Sequence, residues 1–143
     1  MTKSTVRVML VEDSALLARD LTEALQELGN VEVAAVADGE GQACKMLRQK
    51  PLAFDLLVID VFLTTGSGLG VLRSAKGLGL VLPVFMLTNF ATLDVRKRCI
   101  ALGADRIFDK SRQLDEFLTE VAAMAAPDPA LAASDQWADT QWP

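Results

Sequence analysis

The chain has 143 residues, 51% of them apolar, which is enough for one core and about one domain. It carries 14 Lys+Arg against 19 Asp+Glu, a net charge of −5, and no histidine. That composition excludes Ser-His-Asp and Cys-His catalysis, a His-ligated metal and a phosphohistidine on this chain. Two cysteines are too few for a zinc site, and an acidic domain binds a phosphate backbone poorly, so no nucleic-acid partner is expected.

Val6–Val11 is a short β-branched apolar run and reads as a strand. Leu17, Leu21, Ala24 and Leu28 then recur at helical spacing, and Gly29 closes that helix. Val31–Ala37 is a second strand, followed by a helix from Gly39 to Arg48. Leu56–Val61 is a continuous apolar run broken only by Asp60, and Gly68–Leu78 reads as a short helix. Pro83–Leu87 is a strand with proline at its first residue, where the missing N–H is tolerated. Thr92 caps a helix through Leu102, with Gly103 at its C-terminal end. Arg106–Asp109 is a last strand, and Leu114–Met124 a last helix with Ser111 as its candidate cap.

Near-continuous apolar strands alternating with amphipathic helices imply an α/β fold: a doubly wound, five-stranded parallel sheet covered by five helices. In such sheets the site lies beyond the carboxyl ends of the strands. The residues there are Glu12 and Asp13, Asp38, Asp60, Thr88, Asp109 and Lys110. Glu12, Asp13 and Asp60 would share one rim, and gathered like charges need a compensating cation. Hard oxygen ligands in small number suit Mg²⁺. With the Thr88 hydroxyl and the Lys110 ammonium beside them, they make a phosphoryl-transfer site.

Segments VMLVEDS (Val8–Ser14), LLVIDVFL (Leu56–Leu63), GSGLGVL (Gly66–Leu72), VFMLTN (Val84–Asn89) and FDKS (Phe108–Ser111) resemble the receiver domain of two-component response regulators. The resemblance spans about residues 5 to 125 and implies the flavodoxin-like fold of CheY. It implies Asp60 as phosphoacceptor, and Glu12, Asp13, Asp60 and the Phe62 carbonyl as Mg²⁺ ligands. It also implies Thr88 as switch hydroxyl and Lys110 as partner of the phosphoryl oxygens. The implied donor is a phosphohistidine on a sensor histidine kinase or a histidine phosphotransfer protein, so the chain is a phosphoacceptor rather than an enzyme acting on a separate substrate. The alternative is a phosphorylation-independent interaction module of the same fold.

Two rival readings of these segments are weaker. A haloacid dehalogenase phosphatase needs an Asp two residues after the nucleophile, where this chain has Phe62. The Gly66–Gly70 loop lacks the G-x-G-x-x-G spacing of a dinucleotide site. It reads as a turn with close helix-to-sheet packing.

Some positions depart from the family pattern. Thr64 stands where proline is usual, so a looser loop after Asp60 is expected. Asn89 replaces a small residue and narrows access to Asp60. In the family the positions of Phe62 and Phe90 flank the path of hydrolytic water, so the resemblance implies that two aromatic rings there would slow autodephosphorylation. Ile107 replaces the usual aromatic switch residue, and its neighbour Phe108 points to the opposite face, into the core.

Cys44 and Cys99 read as reduced, partly buried thiols. The N-terminal apolar run is too short for a signal peptide, and Gly77–Leu93 falls short of the roughly 20 residues of a membrane helix. A cytoplasmic protein with no membrane partner is expected. The domain boundaries are 1–125 for the receiver and 126–143 for a poorly structured Pro/Asp/Trp tail with Trp137 and Trp142 and no output domain. Signalling would then pass by contact with an unidentified downstream protein. The face of the fourth and fifth helices and the last strand offers a homodimer contact, with Arg96, Lys97 and Arg98 beside Asp105, Asp109 and Asp115.

Overall fold

The computed structural model describes residues 5–50 and 52–125, so the tail with Trp137 and Trp142 lies outside the described residues. Ten elements alternate: β1 (Val6–Val11), α1 (Ala15–Gln26), β2 (Val31–Ala37), α2 (Glu40–Leu47), β3 (Leu56–Asp60), α3 (Gly68–Gly77), β4 (Val84–Thr88), α4 (Leu93–Ala101), β5 (Arg106–Asp109) and α5 (Leu114–Ala125). The strands form one sheet in the order β2-β1-β3-β4-β5, with every neighbouring pair parallel. The predicted α/β fold is therefore the one observed.

The two-residue period of a strand divides the core. Met9, Val11, Leu57, Ile59, Met86 and Ile107 face one way, against Ala43 and Leu47 of α2, Val71, Leu72 and Ala75 of α3 and Cys99 of α4. Val8, Leu10, Val58, Phe85, Leu87 and Phe108 face the other, against Ala18, Leu21 and Leu25 of α1 and Phe117 and Val121 of α5. Both faces are thus covered, which is why β3 and β4 are buried at every position. Phe108 packs edge-on against Phe85 and Phe117, each with ring centroids 5.6 Å away. It is a core residue, on the opposite face from Ile107, as expected.

Side-chain caps fix three helix starts. Ser14 accepts from the Leu17 amide at 3.2 Å, Ser67 from Leu69 at 3.1 Å and Thr92 from Val95 at 3.2 Å. Gly103 closes α4 with φ +101°, a conformation that favours glycine. The expected cap at Ser111 is not observed. The Ser111 hydroxyl donates to Asp109 Oδ1, and α5 begins three residues later at Leu114, with the Phe117 amide bonded to the Gln113 carbonyl at 2.9 Å. Both cysteines are free and buried, more fully than expected. Among the described residues, no helix is long and apolar enough to cross a membrane.

Candidate functional site

The strand order reverses between β1 and β3, and the residues at their carboxyl ends flank the resulting crevice. Glu12 and Asp13 follow β1, and Asp60 ends β3. One carboxylate oxygen from each lies within 4.8 Å of the others. Glu12 is 2% exposed and Asp60 7%, so two of the three are carried into the protein. Each has a fixed partner. Lys110 Nζ lies 2.8 Å from Glu12 Oε1 and 3.4 Å from Asp60 Oδ2. Glu12 Oε2 accepts the Ser14 amide at 3.1 Å. Asp13 Oδ2 accepts the Thr64 amide.

The sheet places the remaining two groups. Thr88 pairs with Asp109 across β4 and β5, and the Lys110 amide donates to the Thr88 carbonyl at 2.8 Å. That register carries the Lys110 side chain back over the rim to the carboxylates. Thr88 is fully buried, and its hydroxyl accepts the Phe90 amide at 3.2 Å, at the start of the β4–α4 loop. Asp38 and Asp109 are not in the carboxylate group. The Asp38 amide donates to Gln42 at 2.8 Å, and Asp109 accepts from the Ala91 and Ser111 amides.

Burial pushes the Asp60 carboxyl up to about 6; the Glu12 charge adds to the rise, while Lys110 and the Phe62 amide oppose it. The Thr64 hydroxyl and amide hold the Asp13 carboxyl below its ordinary value. Three hard oxygen donors, two of them buried against a single ammonium, match the chemistry of a Mg²⁺ site.

Three features of this rim were not read from the sequence. The first is the Thr64 bond to Asp13: the loop after Asp60 was expected to be looser, but without proline it gains an amide, and that amide ties the loop to β1. The second is Glu40. Its carboxylate accepts the Ser67 amide at 2.9 Å, and its backbone amide donates to Thr65 at 3.2 Å. A Cβ at Gly70 would lie 2.3 Å from Glu40 Oε2, so an acidic group already fills the glycine loop where a dinucleotide phosphate would sit. At Gly68 a Cβ would lie 2.0 Å from the Asp60 carbonyl oxygen, which gives the close helix-to-sheet packing expected there.

The third is Arg96. Its guanidinium donates to the Ala91 carbonyl at 3.1 Å, to the Ile107 carbonyl at 3.2 Å and to Gln113 Oε1 at 2.6 Å. Arg98 pairs with Asp94 in its own helix at 3.2 Å. Both guanidiniums thus have partners within their own chain. Phe62 and Phe90 are 59% and 71% exposed, so neither ring is packed down on a neighbouring loop. Asn89 lines a groove between α1 and α5 with Leu17, Leu21, Lys110 and Leu114.

A sequence model of the response regulator receiver domain matches residues 8–122. The chain belongs to that family. Relatives include the response regulator protein PmrA of Pseudomonas aeruginosa, 34% identical over 119 residues, 83% of this chain and 52% of that protein. The sensor histidine kinase AruS of the same species is 32% identical over 133 residues, 90% of this chain and 13% of that protein. The chain thus spans about half or less of the length of these relatives. Among solved structures, the receiver domain of NarL from Mycobacterium tuberculosis has a TM-score of 0.75 at 21% identity, over 87% of this chain and 99% of that one. The CheY of Borrelia burgdorferi, solved with CheX, BeF₃ and Mg²⁺, has a TM-score of 0.75 at 17% identity, over 85% and 90%. The observed receiver fold is CheY-like.

Proposed function

We propose that this receiver domain takes a phosphoryl group onto Asp60 from a phosphohistidine on a sensor histidine kinase or a histidine phosphotransfer protein. The observation that carries this reading is the Lys110 ammonium, 2.8 Å from Glu12 and 3.4 Å from Asp60, at the head of a three-carboxylate group. An Asp60 carboxylate oxygen attacks phosphorus, the P–N bond breaks, and its electron pair returns to the donor imidazole. The product is an acyl phosphate on Asp60. Glu12, Asp13, Asp60 and the Phe62 carbonyl would hold Mg²⁺, which when bound offsets charge on the phosphoryl oxygens.

The chain's own groups do the rest. The Asp60 carboxyl sits near 6 and is mostly ionised, hence nucleophilic, at neutral pH. Lys110 is positioned by the β4–β5 register to meet a second phosphoryl oxygen. The Thr88 hydroxyl accepts the Phe90 amide, and its one proton would donate to the new dianion. That donation draws on the loop that carries Phe90, a local electrostatic event with a conformational readout. The groove of about 300 Å³ lined by Leu17, Leu21, Ala24 and Leu114 beside Lys110 offers apolar surface for the protein that brings the phosphoryl group. Output then passes by contact with a downstream protein.

The test is beryllofluoride with Mg²⁺, which forms an acyl-phosphate mimic on an aspartate. Amide resonances around Asp60, Thr88 and Lys110 are expected to shift, and Asp60→Asn is expected to abolish the shifts. Unchanged resonances would overturn the phosphoacceptor reading.

A further inference from the structure

The loop between β3 and α3 is held at both ends. Toward α3, Glu40 takes the Ser67 amide and bonds the Thr65 carbonyl. Toward β3, the Thr64 amide donates to the Asp13 carboxylate, and the Thr64 hydroxyl helps hold that carboxyl below its ordinary value. The three carboxylates differ in how they are fixed. Glu12 has Lys110 on one oxygen and the Ser14 amide on the other, and Asp60 has Lys110 at 3.4 Å. Asp13 is the least buried of the three, and its donor from another element is Thr64. The Thr64 amide binds Oδ2, and the Asp13 carboxylate it holds brings one oxygen within 4.8 Å of those of Glu12 and Asp60.

We infer that Thr64 is a positioning residue for Asp13, holding its carboxylate toward Glu12 and Asp60 and so setting the affinity of this rim for a divalent cation. The inference rests on the metal-binding part of the proposed function. An exposed carboxylate on a rotatable side chain must be ordered before it ligates. A partner that orders it beforehand removes that cost, and loss of such partners typically weakens metal binding about 10- to 100-fold. The amide does this only because residue 64 is not proline, which has no N–H to donate.

The test is a Mg²⁺ titration of the full chain, following the amide resonances of Asp13, Asp60 and Phe62. Three variants divide the contact: Thr64→Ser keeps amide and hydroxyl, Thr64→Val removes the hydroxyl, and Thr64→Pro removes both. Thr64→Ser is expected to bind Mg²⁺ as the wild type does. Thr64→Val is expected to bind more weakly, and Thr64→Pro weaker still, by about 10-fold or more. Thermal unfolding without Mg²⁺ shows which variants are folded; if Thr64→Pro is not, the Val-against-Ser comparison decides. Equal affinity in folded Val and Pro variants would overturn the inference while leaving the proposed function intact. Tighter binding in either would also overturn it, because Thr64 would then be a competitor of the cation. A wild type that binds no Mg²⁺ would overturn the metal-dependent function, and this inference with it.

Discussion

Lys110 Nζ lies 2.8 Å from Glu12 Oε1, and the two side chains are only 12% and 2% exposed. A buried ion pair is a poor source of net stability, but removing one partner leaves an uncompensated charge. Lys110→Ala is therefore expected to destabilise the domain by about 3 kcal/mol at neutral pH. Mg²⁺ is expected to recover part of that loss, since it supplies positive charge to the same carboxylates. Urea unfolding with and without Mg²⁺ measures both effects. Equal midpoints for variant and wild type without Mg²⁺ would remove the pairing argument.

Asp60 gives the opposite sign. Its folded-state pKa, about 6, lies above the ordinary aspartate value of 3.8, so the folded state holds the proton more tightly. The associated stability is fully present below pH 3.8 and is lost as pH rises through about 6. Above that, the fold carries a charge it disfavours. Asp60→Asn removes the charge and is expected to stabilise the metal-free domain at pH 8, by at most ~3 kcal/mol. The advantage shrinks as pH falls through 6. Thermal unfolding in chelator across this range checks the sign; a gap independent of pH would contradict it.

The strands were legible because each is a short apolar run with polar flanks. Val6–Val11, Val31–Ala37 and Arg106–Asp109 have the same bounds in sequence and structure. The site was legible for a related reason. A parallel sheet sends every strand's carboxyl end to one rim, so Glu12, Asp60, Thr88 and Lys110 could be grouped before any distance was known. The Asp13–Thr64, Glu40–Ser67 and Arg96 contacts were not legible. The first two join residues 51 and 27 positions apart and the third joins three elements, and no periodicity marks which side chain will meet which backbone group. Ser111 does not cap because the helix starts at Leu114, too far along for its hydroxyl to reach the first helical amides, and that hydroxyl instead donates to Asp109.

Arg96 joins three elements. Its planar fork ties Ala91 in the β4–α4 loop, Ile107 in β5 and Gln113 before α5. Ile107 is buried in the core and, being aliphatic, offers no swinging ring to link loop to strand. The link runs through Arg96 instead. Arg96→Ala is expected to cost about 1–3 kcal/mol, because it leaves partly buried acceptors without donors. Arg96→Lys is expected to restore little, since an ammonium cannot span the three acceptors. Faster hydrogen exchange at the Ala91 amide, with β1 and β3 unchanged, is the local signature. Full rescue by lysine would show that charge alone matters.

Phe62 and Phe90 hold their rings largely in solvent on the two loops that flank Asp60. Large exposed aromatics are costly unless something covers them, and these two lie on the loops that follow β3 and β4. Over an acyl phosphate they would reduce the access of hydrolytic water. Phe62→Ala and Phe90→Ala are each expected to shorten the lifetime of the phosphorylated domain several-fold, and the double variant further. Their effect on stability is expected to be small, because neither ring is buried. The measurement is loss of radiolabelled phosphate after the donor is removed. A wild-type lifetime of seconds, or variants that decay no faster, would show that the rings do not shield the bond.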